Sequence, residues 1–299
     1  MKTLLKYLSA GALSIVSLGA IANAPVSAAS LTGATIGGSA PSDYKVYDVS
    51  GSNTIEIVNN PAANVQKVLD GNASSPTGNV ELAASSEQAG FDFTKNTSLQ
   101  GKLIGDKSIT LSSLTSQDWF GIVPNKSYGA SNFANTWFNE FITKAGYGSS
   151  VGTDNAKFMY NSFGNMGGFE ASSDPNISYV NQDDITGLIS IGLAGHYDLK
   201  TAYTSNPKYA SFAAFLPNGF QASEVVKYNY DNQVGYLYSF KATRSGLFAA
   251  DDGVSHNGNY EVTLRGARPV PVPAAFVGIA IAGAIGAAKL KRSKVTIKA

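Results

Sequence analysis

Short segments in which apolar and polar residues alternate dominate the chain and predict β-strands. Residues 44–49 (YKVYDV) and 54–58 (TIEIV) alternate cleanly on either side of Gly51-Ser52-Asn53. Further strands are expected at 79–82, 90–93, 98–104 and 108–114, with Gly105-Asp106 as the hairpin signal between the last two. Later, 224–230 and 235–242 predict a hairpin around Asp231-Asn232-Gln233, with Tyr236, Tyr238 and Phe240 on one face. Residues 260–265 alternate again, and the largely apolar run 185–193 reads as a buried strand.

In the middle the period changes to 3.6. Phe133, Trp137, Phe138, Phe141 and Ile142 fall on one face of a helix ending near Gly146, the pattern of a helix that buries one side in a core. Residues 155–163 predict a second helix, and shorter ones are expected at 64–69 and 209–216. Strands flanking a helical insertion at about 130–165 predict a mainly β fold, an antiparallel β-sandwich or an α+β domain.

Both ends carry a different pattern. At the front, Lys2 and Lys6 precede an apolar run from Leu8 to Ile21 and the small-residue box Val26-Ser27-Ala28. That is the layout of a secretory signal over 1–28, cleaved after Ala28. At the back, a proline stretch over 269–273 leads into an uncharged run, 274–288, and then a basic end, 289–299. Fifteen helical residues span about 23 Å, short of the roughly 30 Å hydrocarbon core, so the run is a marginal transmembrane helix. The cluster Lys289, Lys291 and Arg292 holds its far end in the cytoplasm under the positive-inside rule. A sorting signal that is later removed fits this layout better than a permanent anchor or a core helix.

Composition narrows the body at 29–268. The net charge of +1 includes seven lysines and arginines in the two end segments. Without them the 22 basic residues fall to 15 against 21 acidic, so the body is near −6 and lacks the clustered cations that nucleic acid requires. No cysteine is present, which removes thiol catalysis, thiolate metal sites and disulfides.

Candidate chemistry in the body is sparse. His196 (GLAGHYD) and His256 (DDGVSHNG) sit near acids, and with Asp183, Asp184, Asp251 and Asp252 they form the only metal-ligand candidates. The acidic pairs make calcium the alternative cofactor to none, although the EF-hand spacing is absent. Trp119, Trp137, Tyr236 and Tyr238 are the candidates for stacking on sugar rings. Carboxylates paired in space for glycoside hydrolysis leave no mark in a sequence. Neither a nucleophile elbow nor a phosphate loop is found, since Gly164–Gly168 has no following Lys-Ser/Thr.

Pro271-Val272-Pro273, the apolar helix and the Lys/Arg cluster resemble the PEP-CTERM sorting signal of exported bacterial proteins. Pro271 and Pro273 fall on the two prolines of that motif, and Val272 stands where the family usually has Glu. The resemblance implies recognition by exosortase, a membrane transpeptidase-like enzyme. In the body, TLSSLTSQDWFG, SSDPNISYVNQDD, IGLAGHYD, FQASEVVKY and ADDGVSHNGNYEV resemble an uncharacterised, largely cyanobacterial PEP-CTERM family over most of Ser108–Arg265. This second resemblance implies a role at the outer surface or in the extracellular polymer matrix, with no catalytic residues to carry over. The expected protein is exported by the translocase, cut by signal peptidase, and held in the inner membrane by its C-terminal helix until exosortase acts. Its β-rich domain is expected to be non-catalytic, with a sugar- or calcium-binding module, or an enzyme acting on extracellular polysaccharide, as the alternatives.

Overall fold

The alternating segments pair into two sheets in the computed structural model, which describes residues 28–266. In chain order the strands are β1 (Ala28–Ser30), β2 (Thr32–Gly38), β3 (Tyr44–Ser50), β4 (Asn53–Glu56), β5 (Gly78–Leu82), β6 (Thr97–Leu103) and β7 (Lys107–Ser112). They continue with β8 (Asn176–Asp183), β9 (Leu188–Gly195), β10 (Val226–Tyr230), β11 (Gln233–Leu237), β12 (Thr243–Arg244), β13 (Phe248–Ala249) and β14 (Gly258–Arg265). The first sheet runs β12-β14-β9-β8-β5-β3-β4-β13, with β1 also on β8; the second runs β11-β10-β7-β6-β2. Every pairing is antiparallel except the two-residue contact of β4 with β13. The fold is mainly β, 33% strand against 24% helix.

One apolar core joins the sheets. Val46, Val80, Ile177, Ile191 and Val262 of the first meet Leu99, Ile109, Leu111 and Val226 of the second, all buried. At roughly 1.5–3 kcal/mol for each fully buried aliphatic side chain, this cluster is the main favourable term holding the sheets together.

A second, aromatic core stands beside it. Its helices are α2 (Ser116–Phe120), α3 (Phe133–Ile142), α4 (Asp154–Asn165), α5 (Leu199–Ser205) and α6 (Ala210–Ala213), while the short α1 (Val65–Val68) packs near β2 and β3. The predicted face of α3 is the one that enters: Trp137, Phe138, Phe141 and Ile142 are buried, with Trp119, Phe163, Phe169 and Phe212 around them. Helical structure therefore reaches beyond the expected 130–165 insertion, to α2 and α5, which were not expected, while α6 falls within the short helix expected at 209–216. The five residues of α2 are too few to hold a helix alone, but a Thr115–Asp118 capping box and the burial of Trp119 and Phe120 fix it.

Other expectations shift for local reasons. Residues 90–93 form no strand, because Asp92 turns back to accept from the Thr94 amide at 3.1 Å and its hydroxyl at 2.6 Å, while Phe93 packs on Phe120. The β10–β11 hairpin closes on Asp231-Asn232 alone, both at positive φ (50° and 62°), a type I′ turn that pairs Gln233 with Tyr230. Strand β11 stops at Leu237 rather than running to 242. The signal segment ahead of Ala28, and the tail residues Pro271, Val272, Pro273, Lys289, Lys291 and Arg292, lie outside the described residues. Among the described residues no helix is long and apolar enough to cross a membrane.

Candidate functional site

Strand alternation sends Val46 into the inter-sheet core and leaves Lys45 and Tyr47 on the opposite face of β3. Glu81 lies across from Lys45 in the β3–β5 register and shares that polar face. The aromatic helices stand over this face and leave a cleft of about 340 Å³. Trp137 and Phe141 of α3 and Tyr203 of α5 line one side of it. Asp174 and Asn176 at the entry to β8, Glu224 just before β10, and Glu87 after β5 bring further polar groups to the same space. A wider, shallower groove of about 810 Å³ has only Glu170 and Lys208 as charged lining and none of the unpartnered buried polar atoms. The chemistry is concentrated in the cleft.

Three carboxyls form its floor. Asp174 is buried; one oxygen takes the Ser86 hydroxyl in a very short contact, and Oδ1 has no partner in the protein. Glu224 Oε2 accepts from the Asn176 amide at 3.0 Å. Glu81 accepts from the Tyr47 hydroxyl at 2.9 Å. Burial pushes Glu81 up to about 7, with Glu87 and Glu56 adding to the rise against the opposing pull of Tyr47 and Lys45. Burial raises Asp174 and Glu224 well above the carboxylate range, and each is pushed further by the neighbouring floor carboxyls. Near neutral pH the floor therefore keeps bound protons, a state that marks functional sites more often than ordinary structure.

The two histidines close one end. His256 is buried in a left-handed turn (φ 63°), with Nδ1 2.7 Å from Thr54 Oγ1 and 3.3 Å from the Asn79 amide nitrogen, and its ring edge-on to Tyr47 at 4.8 Å. Burial lowers it to about 4, so it is neutral at ordinary pH. His196 Nδ1 lies 3.3 Å from the Val254 carbonyl oxygen, and burial lowers its pKa as well. Asp252 accepts from the Val254 amide at 2.8 Å and the Ser255 amide at 2.9 Å; burial pushes it up, but hydrogen bonds led by Ser255 outweigh that and leave it lowered.

Of the metal-ligand candidates, His196, His256, Asp251 and Asp252 reach this one cleft. Asp183 and Asp184 do not. They sit in the exposed β8–β9 turn, where Asp183 accepts from the Ile185 and Thr186 amides at 2.9 and 2.6 Å. Seven residue steps along β8 separate Asp183 from Asn176 at the cleft, about 23 Å at the usual rise. Among the described residues no group of three or more His, Asp or Glu is arranged to hold a metal ion.

The sugar-stacking candidates are corrected too. Trp119 is fully buried, stacked on Phe133 at 4.9 Å, with Nε1 donating to Ser173 Oγ at 2.7 Å. Tyr236 and Tyr238 turn their row onto the helices, donating to Asp118 at 3.1 Å and Glu140 at 2.8 Å. Trp137 is 1% exposed, too enclosed to offer a ring face, yet it lines the cleft and its Nε1–H has no partner in the protein.

Glu81, Glu87, Asp174 and Glu224 were missed from sequence. Glu224 alone had left a signal: it is the one charge in Ala222-Ser223-Glu224-Val225-Val226, where a strand is about to enter the core.

The floor carboxyls make stability pH-dependent. A carboxyl whose folded pKa is raised contributes most below its unfolded value and loses that contribution as pH climbs through the folded value. For Glu81 the window runs from 4.5 to about 7 and corresponds to about 3 kcal/mol. His256 works in the opposite sense, losing stability as pH falls from 6.5 toward about 4. Glu81→Gln should therefore shrink the loss of stability between pH 5 and pH 8 by about 2.5 kcal/mol, read by urea unfolding at both values. An unchanged pH difference would mean that Glu81 is solvated and ordinary.

Comparison of the whole chain with protein-family models, with curated proteins and with solved structures finds no match.

Proposed function

We propose that the chain is an exported protein of the cell envelope or extracellular matrix whose ectodomain binds a small polar ligand, a unit of extracellular polysaccharide, in the carboxyl-floored cleft. The architecture reads as an antiparallel two-sheet sandwich carrying a helical layer. The translocase and signal peptidase release the body after Ala28, and an exosortase-like enzyme acts on the tail at Pro271-Val272-Pro273. One observation carries the binding reading. Asp174 Oδ1, Asn176 Oδ1 and Trp137 Nε1–H belong to side chains that are at most 7% exposed, line one cleft, and find no hydrogen-bond partner in the protein. Such atoms cost about 1–3 kcal/mol each if left unpaired, and a ligand that supplies the missing partners recovers that. Calorimetric titration of the full chain with soluble glycans tests it: millimolar or tighter binding is expected, and Asp174→Asn should weaken it by about tenfold. Silence toward neutral, acidic and basic glycans alike would overturn the reading. For the sorting step, intact mass of native material should show neither the leader nor the residues from Lys289 onward.

A hydrolytic reading has its own observation. Asp174 and Glu224 line the same cleft with pKa values raised by burial, and glycoside hydrolysis uses two carboxyls of which one is kept protonated as the acid. Release of reducing ends from polysaccharide, lost in Glu224→Gln, would select it.

A further inference from the structure

The charge and the unpartnered atoms of the cleft together narrow the ligand. Six carboxyls line it, Glu81, Glu87, Asp174, Glu224, Asp251 and Asp252. Opposing them is a single lysine, Lys45, and that ammonium already pairs with Glu56 at 3.3 Å. His196 and His256 add no compensating charge, because burial keeps both neutral at ordinary pH. Tyr47 and Tyr203, the remaining titratable side chains on the walls, are held neutral by burial too. The floor carboxyls Glu81, Asp174 and Glu224 hold protons there, and an ammonium can take the place of such a proton, so a ligand carrying positive charge is favoured over an anionic one.

Hydrogen bonding separates the possible cations. Asn176 Oδ1 requires a donor, and so does Asp174 Oδ1 once its carboxyl has given up its proton; an ammonium supplies both. Trp137 Nε1–H requires an acceptor. A simple polyamine in its charged form has donors only, and a metal ion has neither. A sugar ring with a free amine has both, the ammonium for the carboxyls and a hydroxyl or ring oxygen for the indole. Tyr203 supplies apolar wall for the C–H face of such a ring, and about 340 Å³ is room for one or two rings, at the small end of ligand pockets.

We infer that the cleft selects a glycan unit bearing a free, protonated amine, with Asp174 and Glu224 holding the ammonium and Trp137 Nε1 donating to a sugar oxygen. This rests on the ligand-binding reading above and names its substrate class. An ammonium held by Asp174 and Glu224 takes the place of a proton that this pair retains, so binding and proton release are coupled.

The test is calorimetric titration of the full chain at pH 6 with a glucosamine tetramer, its N-acetylated counterpart and spermidine. The free-amine tetramer is expected to bind, with the acetylated sugar and spermidine each weaker by about tenfold or more. Its heat should differ between buffers of different ionisation enthalpy, reporting released protons. Asp174→Asn and Glu224→Gln should each weaken it by about tenfold, and Trp137→Phe, which keeps the ring and removes the N–H, by a smaller factor. Trp137→Phe keeps the test decisive if a floor variant does not fold. An acetylated tetramer that binds as well as the free amine overturns the charge selection while leaving a glycan-binding cleft. Spermidine binding as tightly overturns the sugar assignment. Absence of binding by all three overturns this inference, and extension of that silence to the neutral and acidic glycans overturns the underlying reading with it. Unchanged binding in all three variants places the ligand elsewhere and overturns both.

Discussion

Replacing Trp119 with alanine should lower the folding free energy by about 4 kcal/mol, read as a shift of the urea midpoint with little change in slope. The side chain is fully buried and sits among Phe133 at 4.9 Å, Phe169 at 5.1 Å and Trp137 at 5.3 Å. Truncation leaves a cavity that rigid rings on three sides close poorly, and it removes the indole N–H that Ser173 Oγ accepts at 2.7 Å. The loss should reach beyond the indole. Asp118 of the same short helix holds Lys227 at 2.6 Å and Tyr236 at 3.1 Å, so loosening α2 loosens the tie between helices and second sheet. Trp119→Phe, which restores most of the volume, should recover about half of the deficit. A cost under about 1.5 kcal/mol for the alanine variant would mean that the aromatic layer is not a cooperative core.

Gly78→Ala should be comparably damaging, about 3 kcal/mol or more, and is expected to reduce soluble yield as well. Gly78 has φ 147°, and a Cβ there would sit 2.1 Å from the Tyr47 carbonyl oxygen and 2.9 Å from Val68 Cβ. The first neighbour is backbone in the β3–β5 ladder, so it cannot step aside without breaking the pairing of Asp48 with Gly78. Gly51→Ala is the control. That position also has positive φ (64°) but open space around the added carbon, and it should cost about 1 kcal/mol. Equal effects at the two positions would show that backbone conformation, rather than the approach of Tyr47, sets the penalty at Gly78.

Where one face of an element meets the core and the other meets water, the sequence is readable. Strands β3, β5, β6, β7 and β14 lie within two residues of their expected bounds, and α3 buries four of the five residues its period selects, with Phe133 half-buried. Strand β8 was not anticipated. It is flanked by β9, β5 and β1 and buried from Asn176 to Gln182, so Asn176, Ser178, Asn181 and Gln182 are inside, and polarity no longer tracks the pleat. Strand β2 (TGATIGG) was hidden by glycines that resemble turn signals. The cleft was legible only in part. His196 and His256 stand out because they are rare, whereas Glu81, Asp174 and Glu224 become a site only when β5, the entry to β8 and the approach to β10 meet. Trp119 misled for a related reason, since an aromatic residue in a sequence does not say whether its ring will be exposed or buried.

The ladder between β9 and β14 also bears on how the protein withstands pulling. It pairs Gly195 with Gly258 at the end from which His196 and His256 enter the cleft, and Leu188 with Arg265 at the other. A tension applied beyond Gly266 and resisted by something gripped in the cleft acts lengthwise along β14. All eight residue pairs then bear the load in shear at once, instead of parting one by one as in a peeled hairpin. The domain therefore resists force most strongly when the pull comes through its last strand.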